Sequence, residues 1–203
     1  MASFTPISPA LLTELLAERA NARPGPVAMA ISAADAADPI GLASRVVVAL
    51  RAAGRPADAV SLHDFVRPAS LRLEHGHADE ESYRSGWYDY DAQDREVVSS
   101  LKRRHRFLPR LWDEATDRSV RAHRVGAAAD HVLVVAGPML LGRGIHFDVT
   151  VDLRMSRGAL ERGTPADNHS TIAPLLAHEA EVSFEADIVV RFEHPDRPAL
   201  QDC

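Results

Sequence analysis

Three groups of side chains in this sequence are of types that chemistry could use. His63 and Asp64 stand together at the end of a short apolar run, Ala59 to Leu62, where an imidazole could take up a proton near neutral pH. Glu74, His75, His77, Asp79, Glu80 and Glu81 crowd metal-ligand types into one stretch, but its polar loop character reads as a solvated run, so no metal site is expected. Lys102, Arg103, Arg104, His105 and Arg106 form a basic run that reads as a solvated helix end. Nucleophilic hydrolysis has no support, since there is no G-x-S-x-G elbow and the sole cysteine is the last residue, Cys203.

The bulk numbers narrow the setting. A chain of 203 residues fits one domain, with residues 1–25 as an N-terminal helix and linker, 27–192 as the core and 193–203 as a tail. Hydrophobic residues at 46% and charged residues at 26% are ordinary for a globular protein. A net charge of −6 offers no general field for a polyanion, so no nucleic-acid partner is expected. The first apolar stretch, Ala10 to Ala17, is broken by Thr13 and Glu14 and reads as an amphipathic helix, so neither export nor a membrane partner is expected. Cytoplasmic residence follows from that reading, and a homo-oligomer stays open.

The elements that must position these residues alternate. Ser8 before Pro9 is a helix start, and Leu11, Leu12, Leu15 and Leu16 follow at helical spacing. After the breaker Arg23-Pro24-Gly25-Pro26, the run Val27 to Ile31 predicts a buried strand, and Asp38-Pro39 opens a second helix that stops at Gly54. Ala59 to Leu62 predicts another strand, and the polar stretch from there to Trp87 reads as a long loop. Asp91 is placed to cap a helix through Leu101, and His131–Val135, Phe147–Leu153 and Ala186–Phe192 predict three more strands. This order predicts an α/β fold with a mainly parallel sheet, helices on both faces, and ligands at the carboxyl ends of the strands.

The segment VAMAISAADAADPIGLASRVVVALRAAGRPADAVSLHDFVRP is similar, without a gap, to the opening of actinobacterial uridine kinase-like proteins: strand, phosphate loop, helix, AGRP, strand, then DDFHRP. ESYRSGWYDYDA resembles that family's acceptor-side loop, LWDEATDRSV its strand and turn, and DHVLVVAGPMLL its second core strand. The match runs from about Val27 to Val135 and resumes at EVSFEADIVV. The resemblance implies a P-loop NTPase-like three-layer sandwich. It also implies transfer of the γ-phosphoryl group of ATP to a ribose hydroxyl of uridine or cytidine, with magnesium.

Position by position, the chain departs from that pattern. A working loop reads G-x-x-x-x-G-K followed by Ser or Thr, so that backbone N–H groups close around phosphate, lysine neutralises it and the hydroxyl holds magnesium. The four matching positions here are Ala33, Asp38, Pro39 and Ile40. Proline removes both a charge and an N–H, isoleucine cannot hold a metal, and a carboxylate capping the helix stands where phosphate should. The acidic residue expected before glycine on the second core strand is Ala136, followed by Gly137, and Arg154, Arg157 and Arg162 are the remnants of an arginine-bearing lid.

On the acceptor side, the first aspartate of the DDF motif is replaced by His63, with Asp64 next, so His63, or Asp64 if the register slips by one, is the catalytic candidate by resemblance. Arg67, Tyr83, Tyr88, Asp89, Trp112, Asp113 and Arg118 fall around the nucleoside pocket by the same resemblance, aromatic faces to stack on a base and carboxylates to accept from ribose. The leading expectation is a kinase-derived protein without phosphoryl transfer and with no cofactor, binding a nucleoside-like small molecule or a partner through this cleft. The alternative is an active nucleoside or small-molecule kinase that uses ATP and magnesium through an atypical loop.

Overall fold

The computed structural model describes residues 3–182 and 184–202, and Cys203 lies outside them. Strand β1 (Phe4–Pro6) precedes helix α1 (Pro9–Asn21); β2 (Val27–Ala33) leads through a short turn into α2 (Pro39–Ala52), and β3 (Ala57–Ser61) follows. Three consecutive turns, Tyr90–Gln93, Asp94–Val98 and Ser99–Arg104, make one longer helix, α3, whose middle turn is widened to π geometry. Then come β4 (Val132–Gly137), β5 (Val149–Arg154), α4 (Arg157–Gly163), α5 (Ile172–Glu181), β6 (Ile188–Arg191) and β7 (Ala199–Gln201).

The seven strands form one sheet in the order β1-β7-β6-β5-β2-β4-β3. The five from β6 to β3 run parallel, with Val27 opposite Val132, Met29 opposite Val149 and Ala57 opposite Val132. Two antiparallel strands, β7 and β1, extend one edge, with Thr5 opposite Leu200. A mainly parallel sheet needs both faces covered, and the strand sequences supply two apolar faces at period two. Val27, Met29, Ile31, Val132 and Val134 pack with α1 and α2, whereas Ala28, Leu133, Val135 and Val60 pack with α3 and the aromatic residues Tyr83, Trp87 and Tyr88.

Several local readings change. Strands β2 and β4 run two residues further than the apolar runs indicated, through Ala33 and Gly137. The stretch before Trp87 is not a plain loop: it holds a short helix, Ala69–Arg72, and a turn, Ser82–Gly86. Helix α3 starts earlier than Asp91 implied, because Asp89 accepts the Ala92 N–H at 2.8 Å and serves as its cap. The tail from residue 193 is not wholly free, since Ala199–Gln201 is inserted between β1 and β6, and its last residue, Cys203, lies outside the described residues.

The mouth of the sheet is held from behind by Arg55. Its buried guanidinium donates to the carbonyls of Ala20, Asn21, Gly25 and Asp130 at 3.1, 2.7, 2.8 and 2.9 Å, tying the end of α1 to the entries of β2 and β4. Hydrogen bonds from a cation to carbonyls are the stronger kind, so this one side chain fixes three backbone segments. No helix among the described residues is long and apolar enough to cross a membrane.

Candidate functional site

Strand β2 ends at Ala33, and the chain turns through Asp35–Ala37 into α2. Asp38 sits in the left-handed region, φ 50°, a conformation that glycine takes freely and aspartate better than most residues. The backbone therefore has a glycine-like bend at Asp38. The side chain does the opposite. Asp38 Oδ1 accepts the Gly41 N–H at 3.1 Å, and Arg45 stands 4.0 Å from the other oxygen. Gly41 makes this cap feasible, since a Cβ there would lie 1.9 Å from Asp38 Oδ2. A carboxylate thus occupies the electropositive tip of α2.

The residues that follow Asp38 offer few polar groups. Pro39 has no N–H, Ile40 has no hydroxyl, and the one lysine of the chain, Lys102, is engaged by Asp148 at 3.0 Å and by the His146 carbonyl at 2.9 Å. At the end of β4, Ala136 is buried, and Gly137 lies so close to Leu62 that a Cβ would come within 2.4 Å of its Cβ.

Beside the loop opens a cleft of ≈ 240 Å³ lined by Asp35, His63, Arg72, Tyr83, Trp87, Tyr88 and Glu114, among others. A linear charge relay runs along it. Asp35, from the turn after β2, meets His63 Nε2 at 2.9 Å; His63 Nδ1 meets Glu114 at 2.8 Å; and Glu114 accepts from Arg72 at 3.1 Å. Burial works against charge on His63, but the hydrogen bonds and fields of Asp35 and Glu114 outweigh it and push the imidazole up to about 10. Glu114 is likewise opposed by burial, yet His63 and Arg72 hold its carboxyl below the usual range. His63 is therefore a cation at neutral pH, donating both ring N–H groups, and not a free base there.

The aromatic wall is edge-packed. Tyr83 and Trp87 centroids lie 5.4 Å apart, His63 and Tyr88 5.5 Å, and the Arg72 guanidinium sits 5.2 Å over the Trp87 ring. The Tyr88 hydroxyl is buried without a partner among the described residues, and burial raises the Tyr83 and Tyr88 phenols well above their ordinary value.

Of the residues singled out in the sequence, the fold brings His63, Tyr83 and Tyr88 to this cleft. Asp64 turns aside and pairs with Arg110 at 2.7 Å, its carboxyl raised by burial. Arg67 lies in a separate shallow depression with Glu74 and His75. Asp89 is engaged as the α3 cap. Trp112, Asp113 and Arg118 belong to a two-residue ribbon, where Trp112 donates to Asp117 at 3.0 Å and Asp113 accepts from Thr116 at 3.0 Å. Arg154 bridges Asp152 at 2.8 Å and Glu179 at 3.6 Å in a second hollow, while Arg157 and Arg162 are exposed on α4. Sequence reasoning missed Asp35, Arg72, Trp87 and Glu114; of these, Trp87, between Tyr83 and Tyr88 within the quoted ESYRSGWYDYDA motif, and Glu114, beside Asp113 within LWDEATDRSV, left a signal.

No protein-family model and no curated protein matches the sequence. Solved structures do. A candidate uridine kinase from Bacillus stearothermophilus superposes with a TM-score of 0.66 at 17% identity, over 87% of this chain and 96% of that one. A candidate fructose transport system kinase from Silicibacter sp. gives 0.69 at 23%, over 90% and 98%. The chain has a P-loop kinase fold. D-glycerate 3-kinase from Cryptococcus neoformans matches more loosely, with a TM-score of 0.50 at 12% identity, over 86% of this chain and 81% of that one. The relay cleft lies at the carboxyl ends of β2 and β3, beside the loop between β2 and α2, where ligands of such open α/β sheets bind.

Proposed function

We propose that this chain is a P-loop-kinase-fold protein that does not carry out ATP-dependent phosphoryl transfer and binds a small nucleoside-like ligand in the relay cleft. The observation that carries the reading is the Asp38 carboxylate seated on the Gly41 N–H at the tip of α2. Two like unit charges about 4 Å apart repel by on the order of 1–4 kcal/mol even when well screened, before the missing lysine and hydroxyl are counted. The cleft supports the ligand half of the reading. Asp35 is half exposed and keeps an oxygen outside its contact with His63, a ready acceptor for sugar hydroxyls beside an aromatic wall. Isothermal titration with Mg-ATP should give no binding tighter than roughly millimolar, about −4 kcal/mol. Uridine or cytidine titrated alone should give saturable heat. A micromolar dissociation constant for Mg-ATP overturns the reading.

The left-handed backbone kept at Asp38 favours a second reading, an active nucleoside or small-molecule kinase using ATP and magnesium through an atypical loop. Its test is ADP release across a panel of nucleosides. Turnover that disappears on changing His63 or Asp64 to alanine would establish it.

A further inference from the structure

Around the end of α3, the fold brings Arg95 and Arg124 together with the basic run Arg103–Arg106. Arg103 and Arg104 lie in the last turn of α3, and His105 follows in the left-handed region at φ 48°. Arg106 then enters a two-residue antiparallel ribbon in which it faces Gly126 and Phe107 faces Val125. The Ala127 N–H donates to the His105 carbonyl at 2.8 Å, closing the ribbon against the helix end. Arg124, just before the ribbon's second strand, is thereby drawn onto α3, where it meets Glu96 at 2.5 Å, and Arg95 meets the same carboxylate at 3.1 Å. All five arginines are exposed.

A helix macrodipole would account for cations in the last turn of α3, at Arg103 and Arg104. It does not account for Arg106 and Arg124, which arrive from outside the helix. Arg103, Arg104 and Arg106 make no ion pair among the described residues; Arg103 reaches only the Ser99 hydroxyl, at 3.4 Å. Glu96 is shared by two arginines, and Asp94, the other carboxylate near this face, accepts from Ser99 at 3.2 Å. The plate is therefore a surplus of positive charge on a chain whose net charge is −6. Guanidinium forks with open N–H groups recognise carboxylate or phosphate oxygens in pairs.

We propose that this plate, the end of α3 with the 106–107/125–126 ribbon, docks a short acidic segment of a partner protein. Length decides between polyanions. The Debye length is about 8 Å at physiological salt, so a ligand confined to the plate feels mainly the arginines. A long polyanion extends past the plate and meets the field of a chain whose net charge is −6, which does not favour it. Base stacking has no exposed aromatic platform within the ribbon either, since Phe107 is buried.

The test is fluorescence anisotropy with a labelled Asp/Glu-rich decapeptide, alongside its Asn/Gln counterpart and a short RNA duplex. The acidic peptide should bind, and raising the salt from low to physiological strength should weaken it by about ten-fold, as expected of a few exposed ion pairs. The combined variant R103E/R104E/R106E should abolish the signal while keeping the far-ultraviolet circular dichroism spectrum. Should that variant fail to fold, R103Q/R104Q/R106Q serves in its place and should bind several-fold more weakly than the unaltered protein. The proposal is overturned if the neutral peptide binds equally, if the folded variant binds like the unaltered protein, or if the duplex binds more tightly than the acidic peptide.

Discussion

The tip of α2 and the relay cleft are neighbours joined by the turn that carries Asp35, yet they hold charge in opposite ways. Asp38 is a single carboxylate with a side chain 68% exposed, its hydrogen bond made to its own helix. The relay strings Asp35, His63, Glu114 and Arg72 across segments distant in sequence, ending on an Arg72 side chain only 8% exposed. A solvated charge can be changed with little structural consequence, whereas a chain of partly buried charges stands or falls together. The carboxylate proposed above to exclude phosphate is thus a local and reversible feature, and the relay is part of what holds the fold.

The strongest way to break that contrast is to cut the relay. Glu114→Ala leaves Arg72 buried without its carboxylate and strips His63 of one acceptor; removing one member of such a pair typically costs about 3 kcal/mol, at the low end of the buried range because Glu114 is itself partly exposed. Urea denaturation should register that loss. A change below about 0.5 kcal/mol, the level of an ordinary surface substitution, would mean that the cleft is no more coupled than the helix tip.

The relay should also have a pH signature. His63 is raised from 6.5 to about 10, so its contribution is fully present below about pH 6.5 and is lost as the pH climbs through about 10. Glu114 is lowered, so its share is present above its ordinary value and is lost only as the pH falls through its folded pKa. Denaturation midpoints should fall between neutrality and about pH 10 and fall less in His63→Gln. In nuclear magnetic resonance spectra, the His63 ring should not titrate near its ordinary value; a midpoint there would remove the charged relay.

Much of this was legible in the sequence, and the part that was not has a physical cause. Strands such as Val27–Ala33 and Val132–Gly137 are built on the apolar runs Val27–Ile31 and Val132–Val135 because both of their faces are covered, and Ser8-Pro9 and Asp38-Pro39 mark helix starts by local chemistry alone. Phe4–Pro6 and Ala199–Gln201 are strands of only three residues, too short for any period to declare itself. Glu114 could not be told from Asp113, since a two-residue ribbon carries no alternation to say which carboxylate faces inward. The exit of β3 bends immediately into a turn, which sends His63 to the cleft and Asp64 to Arg110. Asp35 had no signal at all: it lies within the unspecified part of the loop pattern, and only the fold brings it to His63.

At the helix tip the same contrast can be sharpened from the other side. Replacing the loop residues together, as D38G/P39K/I40S, removes the carboxylate and supplies the lysine and hydroxyl that the pattern requires. Affinity for Mg-ATP should rise by at least about ten-fold, the equivalent of roughly 1.4 kcal/mol, with little effect on folding. No gain on calorimetry would place the barrier elsewhere, for instance in the Asp35–His63 bridge across the entrance to the cleft.

The smallest effect tests the geometry most directly. In the unaltered protein, Gly41→Ala brings a Cβ to within 1.9 Å of Asp38 Oδ2, so the carboxylate must leave the helix tip. Losing that cap costs about 1 kcal/mol and roughly cancels what alanine gains over glycine inside a helix, about 0.5–1 kcal/mol. With Asp38→Gly already in place there is no carboxylate to displace, and only the gain remains. Gly41→Ala should then stabilise the protein, and the two backgrounds should differ by about 1 kcal/mol in a double-mutant cycle read by chemical denaturation. Equal effects in both backgrounds would mean that the Asp38 carboxylate does not sit over the Gly41 N–H, and the tip of α2 would then be open to an anion.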